Sequence, residues 1–228
     1  MIGLLTELLI SWILLYFFEK RSILALGFLP LSKRVKQFFL GFLITGIICL
    51  VVQLLEASLR NTSWIYNDDF KLLQLWSYFF WDLKSVIFEE LIFRGALLFI
   101  LLQRIKTGTA LIISASAFGI YHWFSMGIFG NLIPMLVIFL GTGMMGYAWA
   151  LAFKKTRSIA LPIGLHLGWN FTLNTIFSNG PLGEGLFLLK NEGIISNWFS
   201  LVGLLIVPIL VLAIVIFFIE DEADLAFH

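Results

Sequence analysis

The chain has 228 residues, 60% hydrophobic and only 13% charged, with a mean hydropathy of +0.98. A soluble domain carries about a quarter charged residues, so this composition leaves too little polar surface to face water and excludes a soluble fold. The formal net charge of +1 gives no electrostatic case for nucleic acid or an acidic partner, and the single cysteine, Cys49, rules out an internal disulfide.

In chain order the apolar runs predict an all-α, polytopic transmembrane bundle of about seven helices, forming one membrane domain over 1–228. The spans fall at roughly 1–18, 38–55, 75–103, 109–129, 132–153, 158–178 and 195–219. The first has no basic n-region and no small-residue cleavage site, so it reads as a retained helix rather than a signal peptide. Basic residues give an independent check. The odd-numbered loops hold Lys20, Arg21, Lys33, Arg34, Lys36, Arg104, Lys106, Lys154, Lys155 and Arg157, whereas the even-numbered loops hold only Arg60, Lys71 and Lys190. That asymmetry predicts an N-terminus outside and a C-terminus in the cytoplasm. The acidic tail (Glu220, Asp221, Glu222, Asp224) weighs little in this rule, and the terminal His228 is expected to be disordered. Trp64, Tyr66, Trp76, Tyr78 and Trp198 are expected to anchor outer helix ends at the lipid interface. The small-residue runs Ser114–Gly119 and Gly141–Gly146 point to close helix contacts in the fourth and fifth spans.

The third span is anomalous because it holds Asp82, Lys84, Glu89, Glu90 and Arg94. A charge at the bilayer centre costs about 2.5–3.5 kcal/mol on insertion scales. Asp82 and Lys84 escape to the outer interface if residues 70–83 lie along the membrane surface; Glu7, near an outer end, can also be exposed. Glu89, Glu90 and Arg94 have to face the bundle interior. Glu90 and Arg94 are four apart and form an expected structural ion pair. Glu89 points about 100° away and lacks that partner. Two histidines also lie in spans. His122 follows Phe118 by one turn, and His166 precedes Asn170 by one turn. Pro162 and Gly164 are expected to loosen the helix that carries His166. A carboxylate with an imidazole can deprotonate water, and a second imidazole with an amide can donate to an oxyanion. Glu89, His122, His166 and Asn170 thus supply the parts for hydrolysing an amide inside a membrane. The same groups could form a proton relay in a transporter, although no inverted repeat supports that.

Glu89-Glu90-x-x-x-Arg94, Phe118-x-x-x-His122 and His166-x-x-x-Asn170, in this order on three helices, resemble the CAAX prenyl protease and bacteriocin-processing family, also called Abi proteins. The resemblance covers a core of about 75–178. It implies an intramembrane endopeptidase in which Glu89 activates water with help from His122, His166 and Asn170 form the oxyanion side, and Glu90 with Arg94 is structural. It also implies a peptide or membrane-protein substrate within the lipid bilayer, here taken as a bacterial plasma membrane. A catalytically silent self-immunity protein or membrane scaffold is the alternative within the family. Zinc held by Glu89, His122 and His166 is compatible with the residue types. The chain lacks an H-E-x-x-H pair, which favours a site with no cofactor.

Overall fold

The structure, a computed structural model, describes residues 2–178, 180–190 and 197–222. The side chain of Trp198, and Asp224 and His228 altogether, lie outside the described residues. Eight α-helices run through the described part: α1 Ile2–Glu19, α2 Leu31–Leu59, α3 Leu72–Arg94, α4 Ala96–Arg104, α5 Thr107–Ser125, α6 Leu132–Thr156, α7 Ala160–Phe171 and α8 Asn197–Phe218. A short 3₁₀ turn covers Ile23–Leu26, and a π-turn over Thr172–Ile176 continues α7. Two short strands, β1 Trp64–Tyr66 and β2 Phe187–Leu189, pair antiparallel.

By length and apolar composition α2 and α6 qualify as membrane-crossing helices, and Gly203–Phe218 within α8 is a shorter apolar one. The outward surface supports the same environment. Large apolar side chains stand exposed along the bundle, among them Leu73 (79%), Phe217 (78%) and Phe218 (78%). Water would not tolerate apolar area on that scale in a monomer; hydrocarbon does.

The expected third span is two helices, broken at Gly95. A Cβ there would strike the Leu91 carbonyl, so the chain turns where only glycine fits. The two strands were not expected, and they alter the reading of one aromatic residue. Trp64 sits half-buried in β1, donates its indole N–H to the Gln53 carbonyl at 3.1 Å and packs on Phe177, so it also ties the strand to the bundle. Tyr66 and Trp76 are exposed.

α2 packs on α7, α5 on α6, and α6 on α8. The α2–α7 contact is backbone to backbone. A Cβ on Gly164 would strike the Phe38 carbonyl, and one on Gly168 the Phe42 carbonyl. Thr45 adds a hydroxyl bond of 2.6 Å to the Leu165 carbonyl. Small residues let helices approach where lipid supplies no hydrophobic drive. The expectation that Pro162 and Gly164 loosen this helix is therefore corrected: Pro162 occupies its first turn, which tolerates proline, and Gly164 tightens the contact with α2. The expected contacts at Gly119 and Gly146 form against Phe139 and Phe118.

One end of the bundle gathers the odd-numbered loops. There Ser158 bonds the Gly27 carbonyl, Arg104 bonds Glu19 and the Phe18 carbonyl, and Glu222 bonds Arg34 and Gln37. Asp221 meets Lys154 at 2.6 Å. The strand pair closes the opposite end.

Candidate functional site

Three residues of α3, Glu89, Glu90 and Arg94, form one side of the site. Glu90 and Arg94, one turn apart, are both fully buried and form a two-pronged pair: Arg94 Nε donates to Glu90 Oε2 at 2.6 Å, and Nη2 donates to Oε1. The Arg94 guanidinium lies 4.4 Å over the Phe118 ring and 5.0 Å from that of Trp149. Aromatic faces there stand in for part of its lost hydration.

Glu90 also does something the sequence did not disclose. Its Oε1 accepts from His166 Nδ1 at 2.8 Å. A carboxylate held by arginine only accepts, so Nδ1 carries a proton and Nε2 is turned the other way. His166 stacks on Trp149, with ring centroids 4.1 Å apart and planes at 23°. The imidazole is thus fixed by one hydrogen bond in its plane and one aromatic face.

Glu89, rotated from this pair, is mostly enclosed, with 14% of its side chain exposed. Its Oε2 stands 3.9 Å from His166 Nε2, and that buried oxygen has no hydrogen-bond partner among the described residues. The gap is too long for a hydrogen bond and short enough for one water to touch both. His122, on α5, gives its Nδ1 to the Phe118 carbonyl at 2.9 Å. A carbonyl only accepts, so Nδ1 is the protonated nitrogen and Nε2 keeps its lone pair. The fold also ties α5 to α3 here: Ser114 Oγ donates to the Phe93 carbonyl at 2.7 Å.

Glu89, His122, His166 and Asn170 all line one cavity of about 480 Å³. Its walls are otherwise mostly apolar: Trp81, Met145 and Trp169, with Leu204, Val207 and Pro208 from α8. The structure therefore brings together four residues that 81 positions of sequence separate (89 to 170).

Two expectations about charged residues fail. Asp82 does not reach an interface. It is fully buried, accepting from Asn174 Nδ2 at 2.7 Å and from Thr175 Oγ1 at 3.3 Å. Glu7 is likewise buried and lines a separate apolar cavity with Phe88 and Leu91. Lys84 is exposed, as expected. Asn174 was missed, although it continues the i, i+4 spacing of His166 and Asn170, which was a readable signal.

The zinc alternative can be tested on the donor set. Glu89 Oε2 and the two Nε2 atoms are chemically suitable ligands. The His166 Nδ1–H bond to Glu90 leaves Nε2 free and is the kind of outer hydrogen bond a zinc-bound imidazole makes, yet no three His, Cys, Asp or Glu side chains are grouped closely enough to hold an ion among the described residues. The donor types fit zinc, and their spacing among the described residues does not form a preformed three-ligand site.

Residues 71–172 match the family model of the Rce1-like type II CAAX prenyl endopeptidases. That is the family the three motifs resemble, and the match contains all three. No curated protein and no solved structure matches the chain.

Proposed function

We propose that this chain, whose residues 71–172 carry the match to Rce1-like CAAX endopeptidases, hydrolyses a peptide bond of a membrane-embedded or membrane-associated substrate. The observation that carries the reading is the Glu89 Oε2 atom, without a hydrogen-bond partner among the described residues, facing His166 across 3.9 Å in a mostly apolar cavity also lined by His122 and Asn170. Water held by Glu89 loses a proton and attacks the scissile carbonyl. His122 Nε2 has the free lone pair to share that proton. As the tetrahedral oxyanion develops, Asn170 donates from its amide and His166 from Nε2–H in its imidazolium form, with Nδ1 anchored on Glu90. The proton held between Glu89 and His122 then passes to the leaving amine, completing hydrolysis. No step is assigned to a metal.

In this reading the protein is a bacterial plasma-membrane enzyme, with the basic odd-numbered loops and the C-terminus in the cytoplasm. Peptide precursors and membrane-protein fragments are the substrate class. The test is cleavage of a membrane-peptide library by purified protein, wild type against Glu89→Gln, with and without a zinc chelator. Cleavage abolished by the substitution and kept with chelator is expected. Cleavage lost in chelator overturns the metal-free mechanism. A folded wild type that cleaves nothing overturns the enzyme reading in favour of a self-immunity or scaffold protein.

A further inference from the structure

The HxxxN face does not end at Asn170. Asn174 stands one further turn along, and His166, Asn170 and Asn174 all line the same cavity. The helix changes to a π-turn over Thr172–Ile176 as it passes Asn174, a distortion often found at functional positions. Asn174 is buried, and its orientation is fixed by chemistry. As a carboxylate Asp82 accepts, and the Asn174 amide turns its NH₂ toward it at 2.7 Å. Its Oδ1 is left facing away from α3. A Cβ on Gly180 would strike that oxygen; Gly180 and Pro181 border the same cavity. Among the described residues Oδ1 accepts no hydrogen bond.

Asp82 is held in turn. Thr175 Oγ1 donates to its second oxygen at 3.3 Å. The Thr175 carbonyl accepts from Leu186 N–H at 2.8 Å, and Asn67, just after β1, donates to the Gly185 and Leu186 carbonyls just before β2. A chain of buried hydrogen bonds thus runs from α3 through the π-turn to the cap of strands. Burying a carboxylate this deep is strongly unfavourable unless it is hydrogen-bonded. The outcome of that arrangement is an acceptor oxygen aimed at the rim of a mostly apolar cavity.

We infer that Asn174 is a substrate-binding residue, its Oδ1 accepting a backbone N–H of an extended peptide in the cavity, and that Asp82 is the positioning residue that holds the amide in this orientation. The inference deepens the endopeptidase reading and rests on it for the identity of the ligand as a peptide. An extended segment carries an N–H at every residue, so one correctly placed acceptor sets the register of the chain relative to Glu89 without demanding a particular side chain.

The experiment uses the full chain in lipid nanodiscs, carrying Glu89→Gln to prevent turnover. Its probes are fluorescent apolar peptides and their depsipeptide analogues, in which one backbone N–H at a time is replaced by an ester oxygen. On the Asn174-intact background, one ester position should weaken binding about three- to tenfold, the worth of one hydrogen bond. Adding Asn174→Ala should weaken the parent peptide by the same factor and remove the sensitivity to that ester. Asp82→Asn frees the amide to flip, so it should lower affinity while leaving the ester position partly sensitive. A merely structural Asn174 would weaken amide and ester peptides equally, and that result overturns the inference. Should Asn174→Ala not fold, Asn174→Gln, whose acceptor is displaced by one methylene, takes its place with the same expectation. Selective, Asn174-dependent binding without cleavage by the wild type would overturn only the endopeptidase reading. Absence of binding by every peptide overturns both.

Discussion

Replacing Glu90 by glutamine tests the centre of the fold with the smallest change in shape. Three donors converge on this carboxylate: Arg94 Nε–H, Arg94 Nη2–H and His166 Nδ1–H. Two anionic oxygens accept all three. Glutamine offers one acceptor oxygen and adds an NH₂ group, so at least one donor meets another donor. The Arg94 charge is also left uncompensated in a fully buried position, and its Nη1 already lacks a hydrogen-bond partner among the described residues. Removing one member of a buried pair costs about 3–5 kcal/mol, a few hundred- to a few thousand-fold in the folding equilibrium. Reversible unfolding of the purified protein in mixed micelles would measure it. Glu90→Gln with Arg94→Met should recover much of the loss, because replacing both members of a buried pair by apolar or neutral groups is often near neutral. His166 Nδ1–H would then meet a neutral amide oxygen in place of a carboxylate, which supports its charged form less, so peptidase activity should stay low in the double variant even as stability returns. A Glu90→Gln protein within 1 kcal/mol of wild type, or a double variant no more stable than the single one, would refute the account of Glu90 as a shared anchor.

The α2–α7 contact makes a steric prediction. Gly164→Ala places a methyl against the Phe38 carbonyl and should cost about 1–3 kcal/mol. It should also lower activity, because α7 carries His166 and Asn170; thermal unfolding and peptide cleavage would show the two losses together. The basic end of the bundle makes a pH prediction. Asp221 is held below the usual carboxylate range by its hydrogen bond from Lys154. At Glu222 burial pushes upward, but hydrogen bonds from Lys33, Gln37 and Arg34 outweigh it and hold the group low. A depressed carboxylate stabilises the fold above its unfolded value of about 4.3 and loses that contribution as pH falls through the folded value. Wild type should therefore melt higher than Glu222→Gln at pH 7, and the difference should shrink below about pH 4. A difference that persists at pH 3 would refute the charge-based account.

Composition and basic-residue alternation were enough to read a helical membrane bundle, because apolar runs of about 20 residues have the length of membrane-crossing helices, which satisfy their backbone within the segment. Motif spacing was enough to set Glu89 apart from the Glu90–Arg94 pair and to bring forward both histidines, since the 3.6-residue period decides which side chains share a face before any tertiary contact exists. What that period cannot decide is what lies opposite each face. Glu90 as the anchor of His166, Asp82 as the buried partner of Asn174, Glu7 turned into a cavity and Gly164 as a contact instead of a hinge all depend on a second helix or turn, often scores of residues away. The break at Gly95 depends on its own helix, at the Leu91 carbonyl. The strand pair escaped detection for the same reason: three-residue strands have no periodicity to read, and β1 and β2 exist only because the bundle brings their ends together.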